Sequence, residues 1–119
     1  GITMEKKDGY LYYSYSGGKF TLEGENEGFR ILYHEEFTDI DGTLLGIALA
    51  KSSTQYATWF YSYFPGNKFF TGFNCGHYNN GELPARADYY KRLCDMSERI
   101  IRNKERAEYR DDEEYEAAE

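Results

Sequence analysis

The sequence predicts an α+β domain: an antiparallel β-sheet of about five or six strands packed by one long C-terminal α-helix. Three observations carry that expectation. Between residues 10 and 78, Tyr-, Phe- and Leu-rich runs alternate with Gly, Asp, Asn and Pro turn signals at roughly ten-residue spacing. From Leu83 the apolar residues change to a helical period. The connections between the runs are also too short for parallel neighbours, which need long crossovers.

The elements follow in order. Tyr10 to Tyr15 and Phe20 to Glu23 flank Gly17-Gly18, the pattern of a hairpin closed by a glycine pair. A second turn is read at Gly24-Glu25-Asn26-Glu27-Gly28. From Phe29 to Phe37 the odd positions are mostly apolar (Phe29, Ile31, Tyr33, Phe37) and the even ones mostly polar, so one face of a strand should be buried. Asp39-Ile40-Asp41-Gly42 offers an Asx turn. Thr43 to Ala50 is apolar almost throughout, with only Gly46 interrupting, which marks a central strand covered on both faces. Tyr56 to Phe64 and Lys68 to Tyr78, joined by Pro65-Gly66-Asn67, read as a hairpin. Beyond Asn79-Asn80-Gly81, the residues Leu83, Ala87, Tyr90, Cys94, Ser97 and Ile101, with Leu93 and Ile100 beside them, form the expected apolar stripe. Pro84 fits a first helical turn, and Asp88/Arg92, Asp95/Arg99 and Glu98/Arg102 are i,i+4 pairs in the favourable order.

A chain of 119 residues makes one domain, taken as residues 1–110. Residues 111–119 form an acidic tail that either extends the helix or is disordered. Thirteen Tyr, eight Phe and one Trp supply enough burial to fold. The net charge of −7 argues against a general binder of nucleic acid or anionic membrane. That charge is unevenly spread: residues 1–82 hold six bases and ten acids, 83–110 eight and five, and 111–119 none and six. No basic-plus-apolar leader is evident, residues 1 to 3 read as a remnant before a start at Met4, and the expected location is the cytoplasm of a bacterial host. Cys75 and Cys94 are too few for a disulfide framework in such a compartment.

The chemistry-bearing residues are sparse. Cys75 and His77 share a strand side at metal-ligand spacing, but no second pair completes a zinc site, and no cofactor is expected. Cys94 with His77, or Cys75 with His34, could form a nucleophile pair; Cys94 on the apolar stripe reads instead as an inert thiol. Asp39 and Asp41 lack the rest of a calcium loop. The acids Glu23, Glu25, Glu27, Glu35, Glu36, Asp39 and Asp41 gather in and around two turns and suit a basic partner. Tyr12, Trp59, Tyr61 and Tyr63 join them as candidate contacts, because a two-layer protein covers one sheet face and leaves rings on the other.

Thr58-Trp59-Phe60-Tyr61, Phe70-Thr71-Gly72, Gly76-His77-Tyr78 and Ala87-Asp88-Tyr89-Tyr90-Lys91-Arg92 together resemble a pattern in small accessory proteins of phages and conjugative elements from gut Firmicutes. The resemblance covers about a third of the chain and implies a mobile-element setting, in which small acidic proteins inhibit host defence as anti-CRISPR or anti-restriction factors. That group shares a role and no fold, so it transfers no functional residue. The expectation is a non-enzymatic interaction protein that binds a basic surface of a nuclease or effector complex, without direct contact to nucleic acid. The alternatives are a small-ligand binder for a nucleotide signal, with a Tyr-rich pocket and Arg86, Arg92 and Arg99 as a cationic rim, and a small hydrolase using a carboxylate or His34/His77.

Overall fold

The computed structural model describes the backbone of residues 5–7 and 10–118 and the side chains of residues 10–110. The element order is β1 (Glu5–Lys7), β2 (Leu11–Ser16), β3 (Lys19–Asn26), β4 (Phe29–Thr38), β5 (Leu44–Lys51), β6 (Tyr56–Phe64), β7 (Phe69–Phe70), β8 (Asn74–Asn79) and α1 (Glu82–Ala118). All pairings are antiparallel. Strands β1 to β6 neighbour one another in sequence order, and β7 and β8 take successive lengths of the outer edge of β6. The fold is the expected α+β arrangement of a meander and one long helix. The final hairpin is broken at Thr71–Phe73, and its return strand becomes two pieces.

Strand β5 is the centre. Its odd residues Leu45, Ile47 and Leu49 pack against Ala85, Tyr89, Leu93 and Met96 of α1. Its even residues Leu44 and Ala48 pack with Leu11, Phe20, Leu22, Tyr61, Tyr63 and Phe70. The second face is covered by the protein itself, because the β2–β3 hairpin curls back over β5 and β6. Strand β3 pairs with β2 up to Gly24 and with β4 only at Glu25 and Asn26. Gly24 is the pivot: its φ is +108°, and a Cβ there would lie 2.0 Å from the Tyr10 carbonyl oxygen. The strand therefore runs three residues further than the glycine-rich turn suggests, and the reversal falls at Glu27-Gly28, both with positive φ.

This curl corrects the two-layer expectation. Trp59, Tyr61 and Tyr63 are 3%, 0% and 3% exposed and belong to a chain of ring contacts inside the curl, so none is available to a partner. Phe20 lies 4.9 Å from Tyr63, Tyr13 5.0 Å from Phe70 and Trp59 4.8 Å from Phe73, centroid to centroid. Such spacings are those of offset and edge-to-face pairs, each worth about 0.5–1.5 kcal/mol beyond the area buried. Tyr12, between inward-facing Leu11 and Tyr13, is half-buried.

Strand β4 departs from simple alternation. Ile31 pairs with Ala50 and Tyr33 with Leu49, so Leu32 is an extra residue, a β-bulge. A one-residue slip exchanges the faces. Phe29 and Ile31 consequently face the curl, while Phe37 packs with the helix cluster on the opposite side. The helix differs in phase from the expected stripe. Its buried face is Ala85, Tyr89, Leu93 and Met96 with Ile100 alongside, whereas Leu83, Tyr90, Cys94 and Ile101 are exposed. Both registers satisfy the period. The observed one buries Leu93 and Met96 in place of Cys94 and Ser97, which removes more apolar area from water. The backbone is helical through Ala118, past the Arg110 boundary set for the domain; the side chains of 111–119 lie outside the described residues.

The helix phase gives the first test. Leu93→Asp should abolish cooperative thermal unfolding, because it places a charge between helix and sheet. Ile101→Asp, at a position 55% exposed, should stay within about 0.5 kcal/mol of the wild type in urea titration. Equal destabilisation by the two would refute this register.

Candidate functional site

Helix α1 crosses the outer face of β5, β6 and β8, and the side chains along one margin of that contact line an open cleft of about 520 Å³. Its lining includes Phe60, His77, Arg92, Asp95, Met96, Arg99 and Arg102, with Asn74, Cys75 and Ile47. Each position follows from local structure. Phe60 and Thr58 point toward the helix because β6 alternates, sending Trp59 and Tyr61 into the curl. Thr58 pairs with His77 and Phe60 with Asn74, so β8 spends one residue more than β6 on this stretch. Cys75 lies within this bulge with φ +53°, a left-handed conformation uncommon outside glycine. Arg92, Asp95, Met96, Arg99 and Arg102 recur at three- and four-residue spacing along one flank of α1.

A polar network ties the cleft wall together. Thr58 donates its hydroxyl proton to Asp88 at 2.5 Å. Arg92 donates to the Thr58 carbonyl at 3.1 Å and contacts the Thr58 hydroxyl oxygen at 3.0 Å. His77 Nδ1 lies 3.0 and 3.2 Å from the two Asp88 oxygens. Partial burial would raise the Asp88 carboxyl, but hydrogen bonds from Thr58 and His77 and the charges of His77 and Arg92 outweigh it and hold the group below its usual value. An ionised carboxylate only accepts, so Nδ1 carries the proton, and Nε2 of a neutral ring is left as an acceptor. His77 is thus oriented by Asp88 at the cleft wall, and its ring can accept, donate or move a proton there. Three guanidinium groups against the Asp95 carboxylate make the cleft locally cationic on an acidic protein.

The structure sorts the sequence-derived candidates. Arg92 and Arg99 belong to the cleft, but Arg86 does not: its guanidinium lies 4.9 Å from the Tyr33 ring, donating to the Tyr33 hydroxyl at 2.8 Å and to Glu82 at 3.1 Å. Arg102 takes its place, three residues beyond Arg99 on the same flank of α1. Cys75 and His77 share the cleft. His34 does not join them: it faces the curl, its ring 6.4 Å from that of Phe20 and Nδ1 2.6 Å from Glu36. Cys94 is exposed rather than buried, and the neighbouring Glu98 carboxylate pushes its thiol pKa up, against the reading of an inert core thiol and against nucleophilicity alike.

The acidic candidates do not form one surface. Glu25 and Glu27 lie at the β3–β4 end of β4, and Asp39 and Asp41 at the other. Ten residues of strand put about 33 Å between the two groups at roughly 3.3 Å per residue. Glu36 is turned inward, where it accepts a hydrogen bond from Tyr61; burial first, and then the Glu36 charge, drives the Tyr61 pKa well above its ordinary value. Glu35 lies on the helix side of β4, exposed, near Tyr89. Asp39 and Asp41 fold onto their own loop: Ile40 N–H donates to Asp39 at 2.8 Å and Thr43 N–H to Asp41 at 2.9 Å, the Asx geometry expected. Around that turn Ile40, Phe64 and Phe69 are exposed, and the Asp41–Thr43 and Phe64–Asn67 segments line a shallow groove.

Comparison with protein-family models, curated proteins and solved structures found no significant match to this chain.

The Asp88 network has a pH signature. The folded carboxyl sits below its unfolded value, so its contribution to stability is present above the ordinary carboxylate range and is lost as the pH falls through the folded value. Asp88→Asn should cost about 1–3 kcal/mol at neutral pH in urea denaturation. The gap to the wild type should close in acid, and a gap of constant size across the range would show that the carboxylate charge does not hold the network.

Proposed function

We propose that the protein binds a small phosphorylated ligand with a flat apolar portion, such as a nucleotide, in the cleft between α1 and β6–β8. The observation that carries this reading is the convergence of Arg92, Arg99, Arg102 and His77 on one concavity whose lining also includes Phe60, Met96 and Ile47. Guanidinium groups match phosphate oxygens in pairs, and half-buried Phe60 offers apolar contact to a planar ring. The cleft volume falls within the range typical of small-molecule sites. The phosphate group is held by charge, the apolar portion by contact, and the role is binding without turnover. Calorimetric titration with nucleoside mono-, di- and triphosphates tests it against inorganic phosphate and an unphosphorylated nucleoside. Arg99, which makes none of the hydrogen bonds of the Asp88 network, is the informative position: Arg99→Ala should weaken binding about 10- to 100-fold at unchanged melting temperature, the worth of one charged hydrogen-bond pair. Absence of binding by every phosphorylated compound overturns the proposal.

A second reading keeps the interaction protein that opposes a bacterial nucleic-acid-targeting defence system. What favours it is the turn end of the molecule, where Asp39 and Asp41 flank exposed Ile40, Phe64 and Phe69. Acid beside exposed aromatic surface suits a basic protein partner. On this reading, Asp39→Lys with Asp41→Lys slows association with such a partner and flattens its salt dependence, while Glu25→Lys with Glu27→Lys, at the far end of β4, leaves both unchanged. Equal effects of the two pairs would exclude the turn end as the contact.

A further inference from the structure

Helix α1 has 37 residues, so it is about 55 Å long at 1.5 Å per residue. Among the described side chains, Met96 is the last buried residue of α1, Ile100 is half-buried, and between Ile101 and Arg110 none is buried. The segment from Ile101 to Ala118 is an arm of about 27 Å.

Two properties of this arm conflict with a solitary helix. Its charges are in blocks: residues 99–110 hold Arg99, Arg102, Lys104, Arg106 and Arg110 against Glu105 and Glu108, and residues 111–118 hold Asp111, Asp112, Glu113, Glu114 and Glu116 with no base. The acidic block also occupies the C-terminal end, where the helix dipole is negative and where the last turn carries no basic residue. Isolated helices are marginal in water even when their charges are well placed, so an arm whose described side chains are unburied needs compensation from outside.

We propose that two copies of the chain pair through these arms, antiparallel, about a two-fold axis near Tyr109 and Arg110. Antiparallel pairing sets the basic block of each copy against the acidic block of the other and brings opposite helix ends together. The centres of the two blocks lie about equally far on either side of that axis. A trough on one side of the arm, lined by Arg102, Glu105, Arg106, Tyr109 and Arg110, is the face that receives the partner arm. Exposed Tyr109 sits where the two copies cross. Because the contact is isologous it closes at two subunits. Because the arm offers little apolar area, charge holds it.

The test is mass in solution, by sedimentation equilibrium of the full chain across ionic strength. The expected result is a dimer near 10 mM salt, where the screening length is about 30 Å, and a monomer near 1 M, where it is about 3 Å. Arg106→Glu with Arg110→Glu leaves Arg102 and Lys104 against nine acids in the arm, and Asp112→Arg with Glu113→Arg leaves six bases against five acids. Each variant alone should be monomeric at low salt, and an equimolar mixture of the two should form a heterodimer. Circular dichroism of each confirms that the helix persists. A wild-type monomer at low salt overturns the proposal. So does a dimer indifferent to salt and to both variants, or an oligomer that grows beyond two.

Discussion

The burial of β5 on both faces is the constraint on which the rest of the structure depends. Five of its side chains alternate between two apolar clusters, and neither cluster can form unless something covers each side of the strand. The helix covers one side; the β2–β3 hairpin covers the other. Gly46 shows how tightly this is set: a Cβ at that position would lie 2.3 Å from the Tyr61 ring, which is fully buried and reaches across β5 to Glu36 on β4. The glycine that interrupts the apolar run in the sequence is the space into which Tyr61 packs.

Two bulges distribute function over that frame. At Leu32 the extra residue turns Tyr33, Glu35 and Phe37 toward the helix and His34 and Glu36 toward the curl, so one strand serves both cores. At Cys75 the extra residue of β8 adjusts the edge beside α1 and leaves Cys75 and His77 on the cleft wall. Without the second bulge the strict period of two would give β8 a straight edge. The cleft is thus a product of packing irregularity at a helix–sheet margin.

The strand runs, the hairpin turns, the central strand and the existence of the helix were legible in the sequence, since each is encoded by neighbours within a few residues. The helix phase was not. Leu83, Ala87, Tyr90, Cys94 and Ile101 keep the period as well as Ala85, Tyr89, Leu93, Met96 and Ile100 do. Only the presence of Cys94 and Ser97 on the first set, against Leu93 and Met96 on the second, distinguishes them. The curl was illegible because it depends on a pivot at Gly24 and on contacts between β2 and β6 some fifty residues apart. That error carried through to the site, since Trp59, Tyr61 and Tyr63 are surface rings in an open sheet and core rings in a closed one. Part of the cleft is legible in the sequence: Arg92 and Arg99 form a cationic rim and Cys75 and His77 share a strand side, but only the fold brings β8 against that flank of α1.

Net charge was the least informative quantity of all. A total of −7 suggests an anionic surface, yet beyond about 8 Å in physiological salt an exposed charge is largely screened. What a ligand meets is the local set, and here the local sets differ in sign. Arginines gather on one flank of α1, acids on the turns of β4 and at the helix end. The acids that suggested a basic partner are separated by the length of β4, and one of them, Glu36, is committed to Tyr61 inside the fold. An acidic protein can in this way carry a cationic cleft. Segregation of charge along one helix, more than its sum, decides which molecules the surface can hold.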